Sequence, residues 1–142
     1  MKALIDTNVV LDVLLGREPF YASSLAVMRM VEEGKLTGYI SSFAITDIFY
    51  FVQKKFKETE LVYNKIEKLS RIFAFAAITE STVKTALSLR WKDFEDAVQY
   101  AAARERDVDY IITRNAADFE NPRVPCVSPS DFVAGFTAKK SR

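Results

Sequence analysis

Ala3-Leu4-Ile5 is apolar at consecutive positions, and the residue that follows is Asp6. A strand that is apolar on both sides must be covered on both sides, the condition met inside a parallel sheet with helices on each face. Residues 2–5 therefore read as a buried strand that ends in a carboxylate. Open α/β sheets bind ligands at the carboxyl ends of their strands. Asp6, followed by Thr7 and Asn8, is accordingly taken as the anchor of an acidic metal site.

The rest of the chain alternates helix-length with strand-length segments. Residues 8–15 read as a short helix closed by Gly16-Arg17-Glu18-Pro19, and residues 21–33 as a second helix stopped by Gly34. A strand is expected at 37–40. Ser41-Ser42 are then expected to cap a helix in which Ile45, Ile48, Phe49, Val52 and Phe56 recur at three and four residues. Residues 58–70 read as a charged amphipathic helix with Leu61, Ile66 and Leu69 inward, and 71–78 as a strand. Thr79 or Ser81 begins a helix carrying Val83, Leu87 and Leu89. Trp91 to Asp96 lead into a further helix whose Ala97, Ala101, Ala102 and Ala103 allow close approach to a sheet. A buried strand at 109–113, a short strand at 124–127 and a helical turn at 130–135 complete the pattern. Strands alternating with helices imply right-handed crossovers, so the expected fold is α/β, a three-layer α/β/α sandwich with a central, mainly parallel sheet. Residues 1–136 are expected to form one domain, and 137–142 a disordered tail.

Composition removes several chemistries. With 142 residues and 49% hydrophobic content, the chain can bury a real core. Its longest apolar stretches, such as 72–78, fall short of the roughly 20 residues that span a membrane. The first residues lack an apolar core of signal-peptide length, so a cytoplasmic location is expected. Cys126 is the only cysteine and there is no histidine, which excludes internal disulfides, cysteine-rich zinc sites and every His-dependent triad. Catalysis is left to carboxylates, Lys, Tyr, hydroxyls or a hard cation. The net charge of +1 shows no commitment of the whole surface to nucleic acid, and Lys54, Lys55 and Lys57 read as a solvated helix end.

The carboxylates form the informative constellation. Asp6 ends the first strand, Asp96 begins the helix that leads into the strand at 109–113, and Asn115 and Asp118 follow that strand. If those two strands are neighbours, their carboxyl ends converge. Asp47 is an odd carboxylate inside an apolar helix. Each has an ordinary role available: Asp6 as a cap through the Asn8 amide, Asp93 and Asp96 as a cap with a helix-dipole contact, Asp118 in a turn, Asp47 on an exposed flank. Together the ordinary roles explain less than one shared site does. Carboxylates gathered without basic partners repel one another unless a cation sits among them, and oxygen donors alone select Mg²⁺ or Mn²⁺. Such a cation lowers the pKa of water and neutralises a phosphodiester, chemistry that suits a nuclease without histidine.

Leu4-Ile5-Asp6-Thr7-Asn8-Val9, then Ile40-Ser41-Ser42 leading to Asp47, then Asp93-Phe94-Glu95-Asp96-Ala97, and Ile112-Thr113-Arg114-Asn115 to Asp118-Phe119 occur in that order. In order and spacing they resemble a PIN domain, the metal-dependent ribonuclease fold of VapC-type toxins, over essentially the whole chain. The resemblance implies Asp6 as central metal ligand and Asp96 as a second, direct or through water. Asp47 stands where the family usually has Glu, with water bridging its shorter reach. Asn115 stands where the family often has Asp, which implies Asn115 as a polar orienting group and Asp118 as the carboxylate. Asp93 is a further candidate and the best helix cap. Thr7, Asn8 and Thr113 would position ligands or substrate, and Arg114 would meet a phosphate. The implied reaction is endonucleolytic hydrolysis of RNA, leaving a 5′-phosphate and a 3′-hydroxyl. In toxin members a small antitoxin covers the site.

Two other readings compete. A haloacid-dehalogenase-like phosphatase would need a second Asp at position 8, where Asn8 stands. A catalytically inactive PIN-like module that binds RNA or protein would keep the fold without the chemistry. The surplus apolar surface around Phe43, Tyr50 and Phe51 further leads us to expect a homodimer.

Overall fold

Strand β1 (Lys2–Ile5) lies at the centre of a five-stranded sheet. The computed structural model describes residues 1–120 and 122–140. Its other elements are α1 (Thr7–Leu14), α2 (Tyr21–Glu32), β2 (Thr37–Ser41), α3 (Ile45–Phe56), α4 (Thr59–Ile72), β3 (Ala74–Ala76), α5 (Glu80–Leu89), α6 (Phe94–Glu105), β4 (Tyr110–Ile112), a helical turn Ala116–Asp118, β5 (Cys126–Val127) and α7 (Pro129–Lys140). The strand order is β3-β2-β1-β4-β5, and every pairing is parallel. Successive strands run outward on one side of β1 and then return to its other side. That reversal opens a crevice at the carboxyl ends of β1 and β4.

The consecutive apolar residues of β1 serve both faces. Ala3 and Ile5 join a core built with α1 to α4 and α7, whereas Leu4 joins one built with α6. β4 divides in the same way, Ile112 to the first core and Ile111 to the second. The result is the expected three-layer sandwich. Ala102 and Ala103 are fully buried beside Leu4 and Ile111, while Ala97 and Ala101 turn toward Ala86 of α5, so the small side chains bring α6 close to its neighbours. Among the described residues no helix is long and apolar enough to cross a membrane.

Several local expectations need correction. Ser41 and Ser42 do not cap α3, whose first turn carries no side-chain cap. Ser41 Oγ accepts from Phe43 N at 3.2 Å, and Ser42 Oγ accepts from Ile78 N at 3.1 Å, so both build the turn at the end of β2. In α4 the inward residue is Val62, not Leu61, which puts Val62, Ile66 and Leu69 on one stripe at helical spacing. The strand expected at 71–78 shrinks to Ala74–Ala76 because Phe73 N still donates to Leu69 O at 3.0 Å, continuing the helix. The turn expected at 130–135 is instead the helix Pro129–Lys140, held by Phe132, Val133 and Phe136 against the core. That helix runs through residues 137–140, where a disordered tail was expected; residues 141 and 142 lie outside the described residues.

Gly38 marks a close approach in β2. A Cβ built there would sit 2.8 Å from both Phe73 Cδ1 and Val31 Cγ2, side chains that are themselves buried. Gly38→Ala is therefore expected to destabilise the protein by about 1–3 kcal/mol, read as a lower urea midpoint at unchanged slope.

Candidate active site

The pleat decides where Asp6 points. Asp6 N donates to Ile112 O at 3.0 Å, and Thr113 N to Val127 O at 2.9 Å, so the ladder extends one residue beyond β1 and β4. Side chains two apart share a face, so Asp6 follows Leu4 and Thr113 follows Ile111 toward α6. There the Asp6 carboxylate meets two donors. Gln99 Nε2 of α6 donates to Oδ1 at 2.8 Å, and Thr113 Oγ1 donates to Oδ2 at 2.7 Å. Asp6 is 3% exposed and Gln99 1%, so these are buried contacts. Asp6 occupies the cap position of α1 yet makes no side-chain cap hydrogen bond, which removes the ordinary role through the Asn8 amide.

Asp96 lies one helical turn before Gln99 on the same side of α6 and is also buried. The charges that act on it are acidic. Burial, then the charges of Asp6, Asp93, Asp118 and Glu95, push its carboxyl from the ordinary 3.8 up to about 7. Asp93 caps α6 by accepting from Asp96 N at 3.0 Å. The turn Ala116–Asp118 brings Asp118 over from β4. Carboxylate oxygens of Asp93, Asp96 and Asp118 all lie within 4.8 Å of one another. The cluster opens onto a cleft lined by Lys92, Asp93, Ala117, Asp118 and Glu120. Oxygen donors with no nitrogen or sulfur among them, and a buried acid surrounded by like charge, fit a hard divalent cation.

The expected residues divide into groups. Asp6, Asp96, Asp118, Asp93 and Thr113 converge at the carboxyl ends of β1 and β4. Asp6 stands beside the close acidic trio and is not part of it. Asp47 is exposed in the first turn of α3; it too stands outside the trio and acts on the site through Glu95, whose carboxyl is raised by burial and by Asp6, Asp93 and Asp47. Thr7 is buried and Asn8 half-buried at the start of α1. Asn115 is exposed, and its N donates to Thr113 Oγ1 at 3.0 Å. Arg114 is paired within the chain. Its Nε lies 2.8 Å from Asp12 Oδ2, its Nη2 donates to Asp12 Oδ1 at 3.2 Å, and its guanidinium covers Phe20 at 4.0 Å.

Sequence reasoning missed Gln99, Glu95 and Asp12. Asp12 is a fully buried acid whose pKa is raised by burial and pulled back by Arg114 and Arg17. It ties the loop after β4 to the end of α1. Glu95 lay inside a motif already singled out, and its place in the first turn beside Asp96 was the available signal. The lone Cys126 is half-buried, with its thiol pushed up to about 11 by burial and by Asp96, as befits an unreactive packing residue.

The state of Asp96 has a measurable consequence. Its folded-state pKa exceeds the unfolded value, so its contribution to stability is intact below about pH 4 and is lost as pH rises toward about 7. In chelator, Asp96→Asn should melt above the native protein at pH 8, and the gap should close as pH falls to 4. Equal gaps at both pH values would contradict this electrostatic account.

Comparison with known proteins gives a consistent family. Ribonuclease VapC1 of Aquifex aeolicus (strain VF5) is 25% identical over 136 residues, 92% of each chain. The FitAcB structure from Neisseria gonorrhoeae superposes with a TM-score of 0.71 at 17% identity, covering 90% of this chain and 98% of that one. A toxin-antitoxin complex from Klebsiella pneumoniae gives 0.67 at 22% identity, covering 89% and 97%. These two structures share the fold. The sequence model of the family described as PIN domain matches residues 2–117, most of the length, and on that match this chain belongs to the PIN-domain family.

Proposed function

We propose that this chain is a metal-dependent endoribonuclease, working with Mg²⁺ or Mn²⁺, and the toxin of a toxin–antitoxin pair. The observation that carries the reading is Asp96, a buried acid at the sheet's carboxyl edge clustered with Asp93 and Asp118 and opposed by the charges of Asp6, Asp93, Asp118 and Glu95. That arrangement is unfavourable by itself and becomes favourable around a divalent cation. Similarity to Ribonuclease VapC1 supports RNA as the substrate, and likeness to a toxin-antitoxin complex supports an antitoxin partner.

Asp6, Asp96 and Asp118 would hold the cation, with Asp93 beside them and Asp47 at the rim through water. A bound cation would supply a water of lowered pKa and offset charge on the phosphodiester. The chain's own residues prepare that centre. Gln99 and Thr113 fix both oxygens of Asp6, each of which keeps a further lone pair that could serve a cation. Asn115 reaches the Thr113 hydroxyl through its backbone and so keeps the loop after β4 in register with Asp6. Thr7 and Asn8, on the first turn of α1, would position ligands or substrate beside Asp6.

The test is cleavage of a mixed RNA pool with Mg²⁺ or Mn²⁺ and with chelator. Metal-dependent cleavage that disappears in Asp6→Asn and in Asp96→Asn is expected. Thr113→Val should retain the fold and lose about 10- to 100-fold in activity, the usual effect of removing a group that orients a ligand. Mn²⁺ should also raise the melting temperature of the native protein and leave that of Asp6→Asn unmoved. Absence of both cleavage and metal binding would favour a module that keeps the fold and binds RNA or protein without cutting.

We also propose a homodimer through α3. Phe43 is 46% exposed, Tyr50 59% and Phe51 40%, and the rings of Tyr50 and Phe51 meet with centroids 5.4 Å apart. Light scattering at micromolar concentration should give twice the chain mass, and Tyr50→Glu should halve it. A monomeric mass for the native protein would reject this interface.

A further inference from the structure

A second cleft beside the acidic centre has the opposite character. It measures about 520 Å³ and is walled by Leu89, Trp91, Tyr100, Arg104, Glu120 and Arg123. Trp91 lies against Tyr100 with ring centroids 4.8 Å apart and meets Phe119 edge-on at 5.9 Å, so its ring is fixed in place. The Tyr100 hydroxyl accepts from Arg104 Nη1 at 3.1 Å and from Arg123 N at 3.0 Å, which sets both arginines at the mouth. Arg104 and Arg123 are exposed, and among the described residues neither forms an ion pair with a carboxylate. Glu120 is the one acid of the wall, and its Oε2 is occupied by Lys92 N at 2.7 Å.

This cleft adjoins the acidic one. Glu120 lines both, and Trp91, Lys92 and Asp93 are consecutive. Packing explains why Trp91 and Tyr100 touch, but it does not explain two exposed arginines without a carboxylate partner among the described residues, both lining one aromatic wall. An aromatic face with cations beside it is the arrangement that holds single-stranded nucleic acid, by base stacking and phosphate contact.

We infer that this cleft is a nucleotide subsite for the single-stranded RNA flanking the scissile bond, with a base against Trp91 and phosphates on Arg104 and Arg123. The inference rests on the ribonuclease reading above. Stacking accepts every base, so the subsite contributes grip and direction to the substrate more than sequence choice.

Trp91 is the only tryptophan, so its fluorescence reports on this cleft alone. Asp6→Asn protein in chelator, titrated with a short single-stranded RNA, should show saturable quenching. Arg104→Ala with Arg123→Ala should weaken binding for all sequences alike and flatten the plot of log affinity against log salt by about 0.7 per phosphate contact removed. Binding of a fluorescein-labelled RNA, followed by anisotropy, should fall about 5- to 150-fold in Trp91→Leu, with circular dichroism checking the fold. RNA that binds without quenching Trp91, or that binds the arginine variants as it binds the parent, would overturn the subsite. If the native protein cleaves RNA while Trp91 stays silent, the subsite alone falls. If cleavage and binding are both absent, the ribonuclease reading falls with it.

Discussion

Burying a carboxyl group without hydrogen-bond donors is costly, and the structure depends on how Asp6 avoids that cost. Its two donors come from different layers, Gln99 from α6 and Thr113 from the end of β4. Each fixes something larger than a hydrogen bond. Gln99 reaches Asp6 only because Ala102 and Ala103 let α6 settle against the sheet, and Thr113 reaches it only because β4 lies directly beside β1. Helix register and strand order are thus both expressed at one side chain.

Asp96 presents the complementary case. It sits in the first turn of α6, where the helix dipole favours negative charge, and its backbone N is capped by Asp93. These local contacts stabilise the helix start, while the surrounding carboxylates oppose the charge of its side chain. The same short segment therefore supports the fold and stores the repulsion that a cation would relieve. On the other side of the crevice, the pairing of Asp12 with Arg114 anchors the loop that carries Asn115 and Asp118, so the acidic trio is assembled from two separately fixed pieces of chain.

Much of the architecture was legible because it is written locally. Consecutive apolar residues at Ala3-Leu4-Ile5 and Tyr110-Ile111-Ile112 gave the two central strands, and their adjacency brought the expected Asp6, Asp96, Asp118 and Thr113 to one edge. The errors arose where a local signal was ambiguous or where no local signal existed. Residues 72–78 form one apolar run, and nothing in that run marks Phe73 as the residue where helical hydrogen bonding ends. Val62 would have been preferred to Leu61 by counting back from Ile66 and Leu69. Gln99 was illegible for a different reason: it is a common helix residue whose partner lies 93 positions away, and the partner of Thr113 lies 107 away. The pairing of Arg114 with Asp12 was equally illegible, since the two lie 102 positions apart.

Gln99 gives the centre a discriminating property. With Nε2 donating to Asp6, its Oε1 is turned away and meets no protein donor among the described residues, so the amide has a fixed sense. Glutamate has nearly the same shape and a similar preference for helices, and it lies one base change away in the genetic code. In that position it would set acceptor against acceptor beside Asp6. The most conservative single-base change at residue 99 is therefore opposed by charge, with almost no change in volume or backbone preference to mark it.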